Sequence, residues 1–83
     1  MTTYEVVVKP RAVKDLAVLS RADAARVVEG IAELGKGLSG DVKRLSNHQP
    51  EYRLRVGRYR VLFEVEAENV VVYRVLHRRE AYR

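Results

Sequence analysis

The sequence contains no cysteine in its 83 residues, which excludes disulfides, thiolate metal sites and cysteine nucleophiles. Its two histidines, His48 and His77, are too few to hold a tetrahedral zinc ion by themselves. No apolar run approaches the roughly 20 residues of a membrane span, and residues 1–9 lack the apolar block of a signal peptide. We therefore expect a soluble cytoplasmic protein with one domain over residues 1–83, one small core and no cofactor.

Positive charge is in excess and is unevenly distributed along the chain. The sequence has 16 Lys+Arg against 11 Asp+Glu, a net charge of +5. Residues 1–41 carry six basic and six acidic side chains, so the whole excess lies in residues 42–83, where nine of the ten basic residues are arginine. Because guanidinium groups bind phosphate bidentately and stack on bases, this distribution favours nucleic acid or an acidic protein as the partner.

The pattern of apolar residues predicts the element order β-α-α-β-β-β. Alternation predicts a first strand that ends at Pro10, and apolar spacing predicts two helices, with Ser20 as the N-cap of the second and Gly35 as its end. We expect the polar segment 41–49 to wrap the sheet edge. The predicted fold is a two-layer α+β domain, in which a helical hairpin packs on one face of a four-stranded, mostly antiparallel sheet. The predicted strands span residues 3–9, 51–56, 58–66 and 70–76.

Three arginines fall on one face of the predicted sheet. Side chains alternate along a strand, so if the apolar residues of the second and third strands meet the helices, Arg53, Arg55 and Arg60 share the open face. Such crowding of cations is tolerated when the ligand is a polyanion. The alternative is a solvated face on which these arginines pair with Glu64 and Glu66.

The last segment, residues 73–83, groups a histidine, several arginines and a tyrosine near the end of a strand. These side chains can supply a proton-transfer group, an anion clamp and a ring that stacks on a base, which are the requirements of RNA cleavage. The alternative is an arginine-rich terminus that is only solvated.

Most of the chain resembles the RelE/ParE superfamily of bacterial toxin–antitoxin toxins. The resemblance is carried by YRLRVGRYRVLFEV and HRREAYR, together with shorter matches at residues 9–16 and 41–45. It implies a RelE-type fold and a metal-independent, ribosome-dependent endoribonuclease that cuts mRNA in the decoding site and so inhibits translation. It also implies a cognate antitoxin that covers the basic surface.

The resemblance further implies roles for matching residues. Arg53 and Arg55 would lie in the active groove, Arg60 and Arg78 would bind the scissile phosphate region, and Tyr82 would stack on or orient the substrate. Further RNA contacts are expected from Lys43, Arg44, Arg58, Arg79 and Arg83.

Positions 53 and 55 are often lysine in the RelE branch, and this sequence has arginine at both. Arginine stays protonated and cannot act as a general base, so the proton must be carried by another group. Our candidates are His77, Tyr82 and, less favoured, Glu64. His48 lies in a polar loop next to Pro50, and we expect it to be structural or solvated.

Two other functions stay open at this point. The ParE branch poisons DNA gyrase and needs no ribonuclease site, and a basic domain could also bind RNA or an acidic peptide without cutting anything. ParE endings often replace the Arg-Arg-Glu-x-Tyr segment, which is present here at residues 78–82. The sequence therefore favours the RelE branch.

Overall fold

A computed structural model describes residues 3–81 of the chain. Two helices and five strands follow one another in the order β-α-α-β-β-β-β. No helix within residues 3–81 has the length and apolar character needed to cross a membrane. The elements are β1 (Glu5–Val8), α1 (Pro10–Ala17), α2 (Arg21–Leu34), β2 (Asp41–Arg44), β3 (Tyr52–Val56), β4 (Tyr59–Glu66) and β5 (Asn69–His77).

The sheet has five strands in the order β1-β5-β4-β3-β2. β1 runs parallel to β5, and the other neighbours are antiparallel. The prediction of four strands is wrong, because the segment expected to wrap the edge begins with β2, which pairs with β3 from Asp41 opposite Arg55 to Arg44 opposite Tyr52. Only one of its four residues, Val42, is apolar. Pairing with β3, rather than strand propensity, makes this segment a strand.

Helix α2 follows the prediction at both ends. The Ser20 hydroxyl accepts a hydrogen bond from the Asp23 amide at 3.1 Å, and the helix ends at Gly35. Gly30 lets the helix approach β3, because a Cβ atom at this position would lie 2.9 Å from a methyl carbon of Val56. The helix buries one stripe against the sheet, formed by Val27, Ile31 and Leu34 with Leu54, Val61 and Phe63.

Helix α1 covers the edge of β5 that β1 leaves open. The pairing of β1 with β5 stops at Val72, and beyond it the Asp15 carboxylate accepts the Val75 amide at 2.9 Å and Arg74 Nε at 2.8 Å. The apolar spacing that predicts this helix places Val13, Leu16 and Ala17 on one face, which was expected to be its apolar stripe. Val13 and Ala17 are instead exposed and Ala12 is fully buried, because the helix packs at a sheet edge.

Asp15 is a largely buried carboxylate whose charge is compensated. Burial acts to raise its pKa, but the hydrogen bonds from Arg74 and the Val75 amide, with the charges of Arg74 and Arg11, outweigh it and hold the pKa of Asp15 below 3.8. Hydrogen bonding to Asp15 likewise raises the pKa of Arg74. Because the folded-state pKa is depressed, Asp15 stabilises the fold above the unfolded value and loses this contribution as pH falls through the folded value.

We predict that Asp15→Asn lowers the free energy of unfolding at neutral pH by about 1–3 kcal/mol, the usual range for hydrogen bonds to a charged group. Chemical denaturation measures the difference. The exposed Glu29→Gln is the control and should stay within about 0.5 kcal/mol of wild type. The Asp15→Asn deficit should shrink at acidic pH, as the wild-type carboxylate is protonated. A deficit unchanged at acidic pH would mean that the charge of Asp15 is not its source.

Candidate functional site

Four basic side chains line one shallow cavity on the sheet face opposite α2. Lys43, Arg53, Arg55 and Arg60 surround a volume of about 300 Å³ together with Leu45, and we name this surface the arginine groove. The strand register produces it, because Lys43 pairs with Arg53 and Arg55 pairs with Arg60 across neighbouring strands. The three arginines predicted to share the open face do share it, and β2 adds a lysine.

Hydrogen bonds from the chain itself hold the arginines of the groove. Arg53 is 14% exposed and donates to the Asp41 carbonyl at 2.7 Å and to Asp41 Oδ1 at 3.1 Å. Arg55 lies 4.0 Å from Asp41 Oδ2. Arg60 donates to the carbonyls of Gly57 and Tyr59 at 3.0 Å. Each guanidinium has five N–H donors, so these contacts orient the side chains and leave donors for an anion.

The alternative pairing of these arginines with Glu64 and Glu66 does not occur. Within residues 3–81, the carboxylate partner of Arg53 and Arg55 is Asp41, and Arg60 bonds to main-chain carbonyls. Glu66 accepts a hydrogen bond from the Tyr73 hydroxyl at 3.0 Å, which raises the pKa of Tyr73. The groove therefore has one acidic side chain beside its basic ones.

A second cavity, of about 460 Å³, adjoins the arginine groove on the same face. Its floor is apolar, because Leu62 follows Arg60 at the next outward position of β4 and Leu76 pairs with Arg60 from β5. Leu62 is only 3% exposed. The β2–β3 loop and the turn after β5 form the walls of this apolar cavity, with the further lining residues Arg11, His48, Gln49, Pro50, Arg74, Glu80 and Ala81.

His77 lies on the opposite side of the sheet from the arginine groove. It pairs with Tyr59, whose ring it meets edge-on at 5.8 Å between centroids. It lines a cavity of about 280 Å³ with Asp15 and Leu19 from the helix side. Its Nδ1 accepts the Arg79 amide at 3.2 Å. The structure therefore does not bring His77 together with Arg60.

The remaining described basic residues singled out from the sequence do not line the groove. Arg44 donates to Glu51 Oε1 at 2.7 Å, which raises the pKa of Arg44. Arg58 borders a cavity on the α2 side. Arg78 and Arg79 are exposed in the turn after β5, where the Arg78 amide donates to the Arg58 carbonyl at 2.7 Å. Tyr82 and Arg83 lie outside the described residues.

The comparison with known proteins identifies the family. A family described as the ParE toxin of a type II toxin–antitoxin system, parDE, matches residues 6–82. The chain belongs to the RelE/ParE superfamily of toxins. It is 40% identical over 42 residues to Toxin RelE3 of Methanocaldococcus jannaschii, and these residues are 51% of this toxin and 48% of that protein. This toxin thus aligns with about half the length of that curated relative.

Solved structures extend the likeness over nearly the whole toxin. The RelB–RelE antitoxin–toxin complex from Methanococcus jannaschii has a chain of 30% identity and TM-score 0.75, with 92% of this toxin and 94% of that chain covered. A chain of the RelBE2 complex from Mycobacterium tuberculosis has 29% identity and TM-score 0.79, with 90% of this toxin and 98% of that chain covered. A chain of the archaeal RelE–RelB complex from Pyrococcus horikoshii OT3 has 28% identity and TM-score 0.77, with 98% of this toxin and 100% of that chain covered. These relatives assign this toxin to the RelE branch and confirm the RelE-like fold.

Sequence reasoning missed two residues of the toxin's open face. Asp41 entered the sequence analysis in the charge balance and as the first residue of the matching segment 41–45, without a role of its own, and the signal that could have found it is the alternation of Asp41 and Lys43 in a short edge strand. His48 was expected to be structural or solvated, and it borders the apolar cavity beside Leu62 and Leu76. Its Nδ1 contacts the Pro50 carbonyl at 3.0 Å. A carbonyl only accepts, so Nδ1 is the donor in this contact.

No cluster of three or more His, Asp or Glu side chains in the described part of the toxin is arranged to hold a metal ion. The donors that converge on the open face are guanidinium and ammonium groups, which have no lone pair to offer a cation. The chemistry of this face is therefore that of an anion site.

Proposed function

We propose that this toxin is an endoribonuclease that cuts mRNA on the ribosome and so inhibits translation. The observation that carries the proposal is the arginine groove, in which four basic side chains converge on one open face beside one carboxylate. A phosphodiester is the ligand that such a set of donors fits. The family membership supports the same function.

Cleavage by the 2′-hydroxyl of the RNA has three chemical requirements. The hydroxyl must lose its proton, the phosphorane must be stabilised while it carries additional negative charge, and the leaving 5′-oxygen must gain a proton. Arg53, Arg55 and Arg60 meet the second requirement, because all three line one cavity and the hydrogen bonds of Arg53 and Arg60 to main-chain carbonyls hold those two side chains in place. We also propose that Arg78, which is exposed in the turn after β5, contributes to binding the phosphate region.

The apolar cavity next to the groove suits a nucleobase. Single-stranded RNA is recognised through bases that are splayed out of the stack, and Leu62 and Leu76 offer an apolar floor one side chain away from Arg60. Ala81, the last described residue, lines the same cavity. We propose that Tyr82, which follows it in the chain, stacks on this base.

The proton carrier must reach the phosphate from the open face. His77, the first candidate from the sequence, lies on the helix side with its Nδ1 bonded to the Arg79 amide. His48 lies on the open face, and its Nδ1–H is oriented by the Pro50 carbonyl. We therefore propose His48 as the general base, and the pair of histidines provides a matched comparison.

We expect His48→Gln to lower the cleavage rate about a hundredfold, in the range of one general acid or base, and His77→Gln to stay near wild type. The rate is measured by single-turnover cleavage of mRNA on purified ribosomes from about pH 5 to 8, the range in which imidazole side chains change charge. The His48→Gln profile should be flatter than that of wild type. Full activity with His48→Gln and loss with His77→Gln would restore His77 as the proton carrier.

Arg60→Ala should lower cleavage by about a hundredfold or more, the typical cost of removing one group that stabilises developing charge. The control is Arg21→Ala, which removes one positive charge from the exposed start of α2. Primer extension on mRNA from cells that express each variant measures the effect, with thermal melts to confirm folding. Breaks should appear within translated codons for wild type and Arg21→Ala only. Equal cleavage by a folded Arg60→Ala would exclude the arginine groove as the active surface.

A gyrase poison is the second candidate, because the matching family is described as a ParE toxin. The two functions are separated by one pair of assays on the purified toxin. Inhibition of DNA supercoiling by gyrase, without cleavage of mRNA on ribosomes, would favour the ParE-type function.

We also propose a cognate antitoxin as the partner. Two of the three structural relatives are described as complexes of toxin and antitoxin, and the third is described as a RelE–RelB complex. On this toxin, Val13, Val18 and Val28 are more than half exposed on the helices, and the open face is basic. An acidic segment with an amphipathic helix would complement both surfaces.

The complex with this antitoxin should weaken as salt rises, because charge pairs at an exposed groove are screened. Titration calorimetry at several salt concentrations measures the affinity. Lys43→Ala should reduce the salt dependence, whereas Lys36→Ala, in the turn after α2, should leave it near wild type. An affinity that is independent of salt would show that the groove does not contribute to antitoxin binding.

A further inference from the structure

We propose that Asp41 is an internal counter-ion of the arginine groove, which a phosphodiester of the RNA displaces when it binds. The proposal deepens the function proposed above and rests on the same groove. Asp41 Oδ1 lies 3.1 Å from Arg53 and Oδ2 lies 4.0 Å from Arg55. One carboxylate therefore occupies the anion position between two arginines that would otherwise face each other unscreened.

The position of the Asp41 carboxylate allows a phosphate to displace it from the arginines. Asp41 is the first residue of the edge strand β2, and its side chain is 54% exposed, so solvent reaches its carboxylate. Its contact with Arg55 joins two exposed side chains at 4.0 Å, and an exposed ion pair of this kind contributes little to stability. A phosphate has more acceptor oxygens than a carboxylate and accepts bidentate hydrogen bonds from arginine, so it can replace Asp41 at this position.

The orientation of Arg53 does not depend on the carboxylate alone. Arg53 also donates to the main-chain carbonyl of Asp41 at 2.7 Å, and any residue at position 41 keeps this acceptor. Arg55, with 58% of its side chain exposed, has only the longer contact to the carboxylate. Asp41→Asn therefore removes the competing charge while an anchor of Arg53 is retained.

The consequence is that Asp41 lowers the affinity of the groove for RNA. With the carboxylate present, part of the attraction between the arginines and a phosphate is offset by the loss of the Asp41 contacts. Without it, the same donors face the phosphate with one more unit of net positive charge. Asp41 thus sets the affinity for the substrate class, single-stranded RNA phosphodiesters, without touching the reacting atoms, and it is a positioning residue.

The test compares Asp41→Asn with Glu33→Gln. Both substitutions remove one negative charge from a half-exposed carboxylate, but Glu33 lies on α2 and pairs with Lys36 at 3.5 Å. The probe is a fluorescent single-stranded RNA with 2′-O-methyl groups, which lacks the nucleophile and is not cut. Fluorescence anisotropy gives its affinity at several salt concentrations.

We expect Asp41→Asn to bind the probe roughly three- to tenfold more tightly at low salt, as one fully exposed charge contact allows, and Glu33→Gln to bind within about twofold of wild type. The slope of log affinity against log salt should steepen by up to about 0.7 for Asp41→Asn, the value for one further phosphate contact on a single strand. The advantage should vanish at high salt.

The proposal is overturned if Asp41→Asn binds the probe no more tightly than Glu33→Gln does. It is also overturned if wild type, Asp41→Asn and Glu33→Gln all fail to bind the probe at low salt. Cleavage of mRNA on ribosomes, measured in parallel, separates this result from the function. Tighter probe binding by Asp41→Asn, without cleavage of mRNA by any of the three proteins, would support the counter-ion role of Asp41 and refute the ribonuclease function. Cleavage of mRNA by the wild-type toxin, with equal probe affinities for the three proteins, would support the ribonuclease function and refute the counter-ion role.

Discussion

The register between β3 and β4 is the constraint on which the rest of the structure depends. It pairs Leu54 with Val61 on the helix side and Arg55 with Arg60 on the open side. A slip by one residue would exchange the two faces, burying arginines under α2 and exposing the core. The hydrophobic core thus fixes the position of the arginine groove, although no groove residue belongs to that core. Burial of Leu54 and Val61 on one face is what aligns the arginines on the other.

The parts of this fold that were predictable from the sequence are those set by local patterns. The cap at Ser20, the end of α2 at Gly35 and the alternation along β3 and β4 each depend on residues close together in the chain. The position of α1 depends on a distant element, because Asp15 meets an amide of β5 some sixty residues later. An amphipathic pattern tells that a helix has an apolar side but not whether it packs on a sheet face or along an edge.

His77 illustrates why a residue close in sequence to the terminal arginines can lie on the sheet face opposite the arginine groove. The run Val70–Val71–Val72 is buried on both sides of the sheet, so the sequence pattern does not show which alternate residues of β5 face the helices. The pairing of β4 with β5 is irregular between Leu62 and Phe63. This irregularity shifts by one residue which alternate positions of β5 face the helices. Sequence proximity grouped His77 with the terminal arginines, whereas the pairing of β4 with β5 separates it from Arg60.

The strand that the sequence did not predict, β2, is the one that supplies both Lys43 and Asp41 to the groove. Three of its four residues are charged, which lowers strand propensity but protects a sheet edge from pairing with other chains. Its composition is therefore determined by the solvent and by the neighbouring arginines rather than by the core. Local rules are expected to fail where a residue is set by a site and not by packing. For this toxin that failure coincides with the carboxylate we infer to regulate phosphate binding.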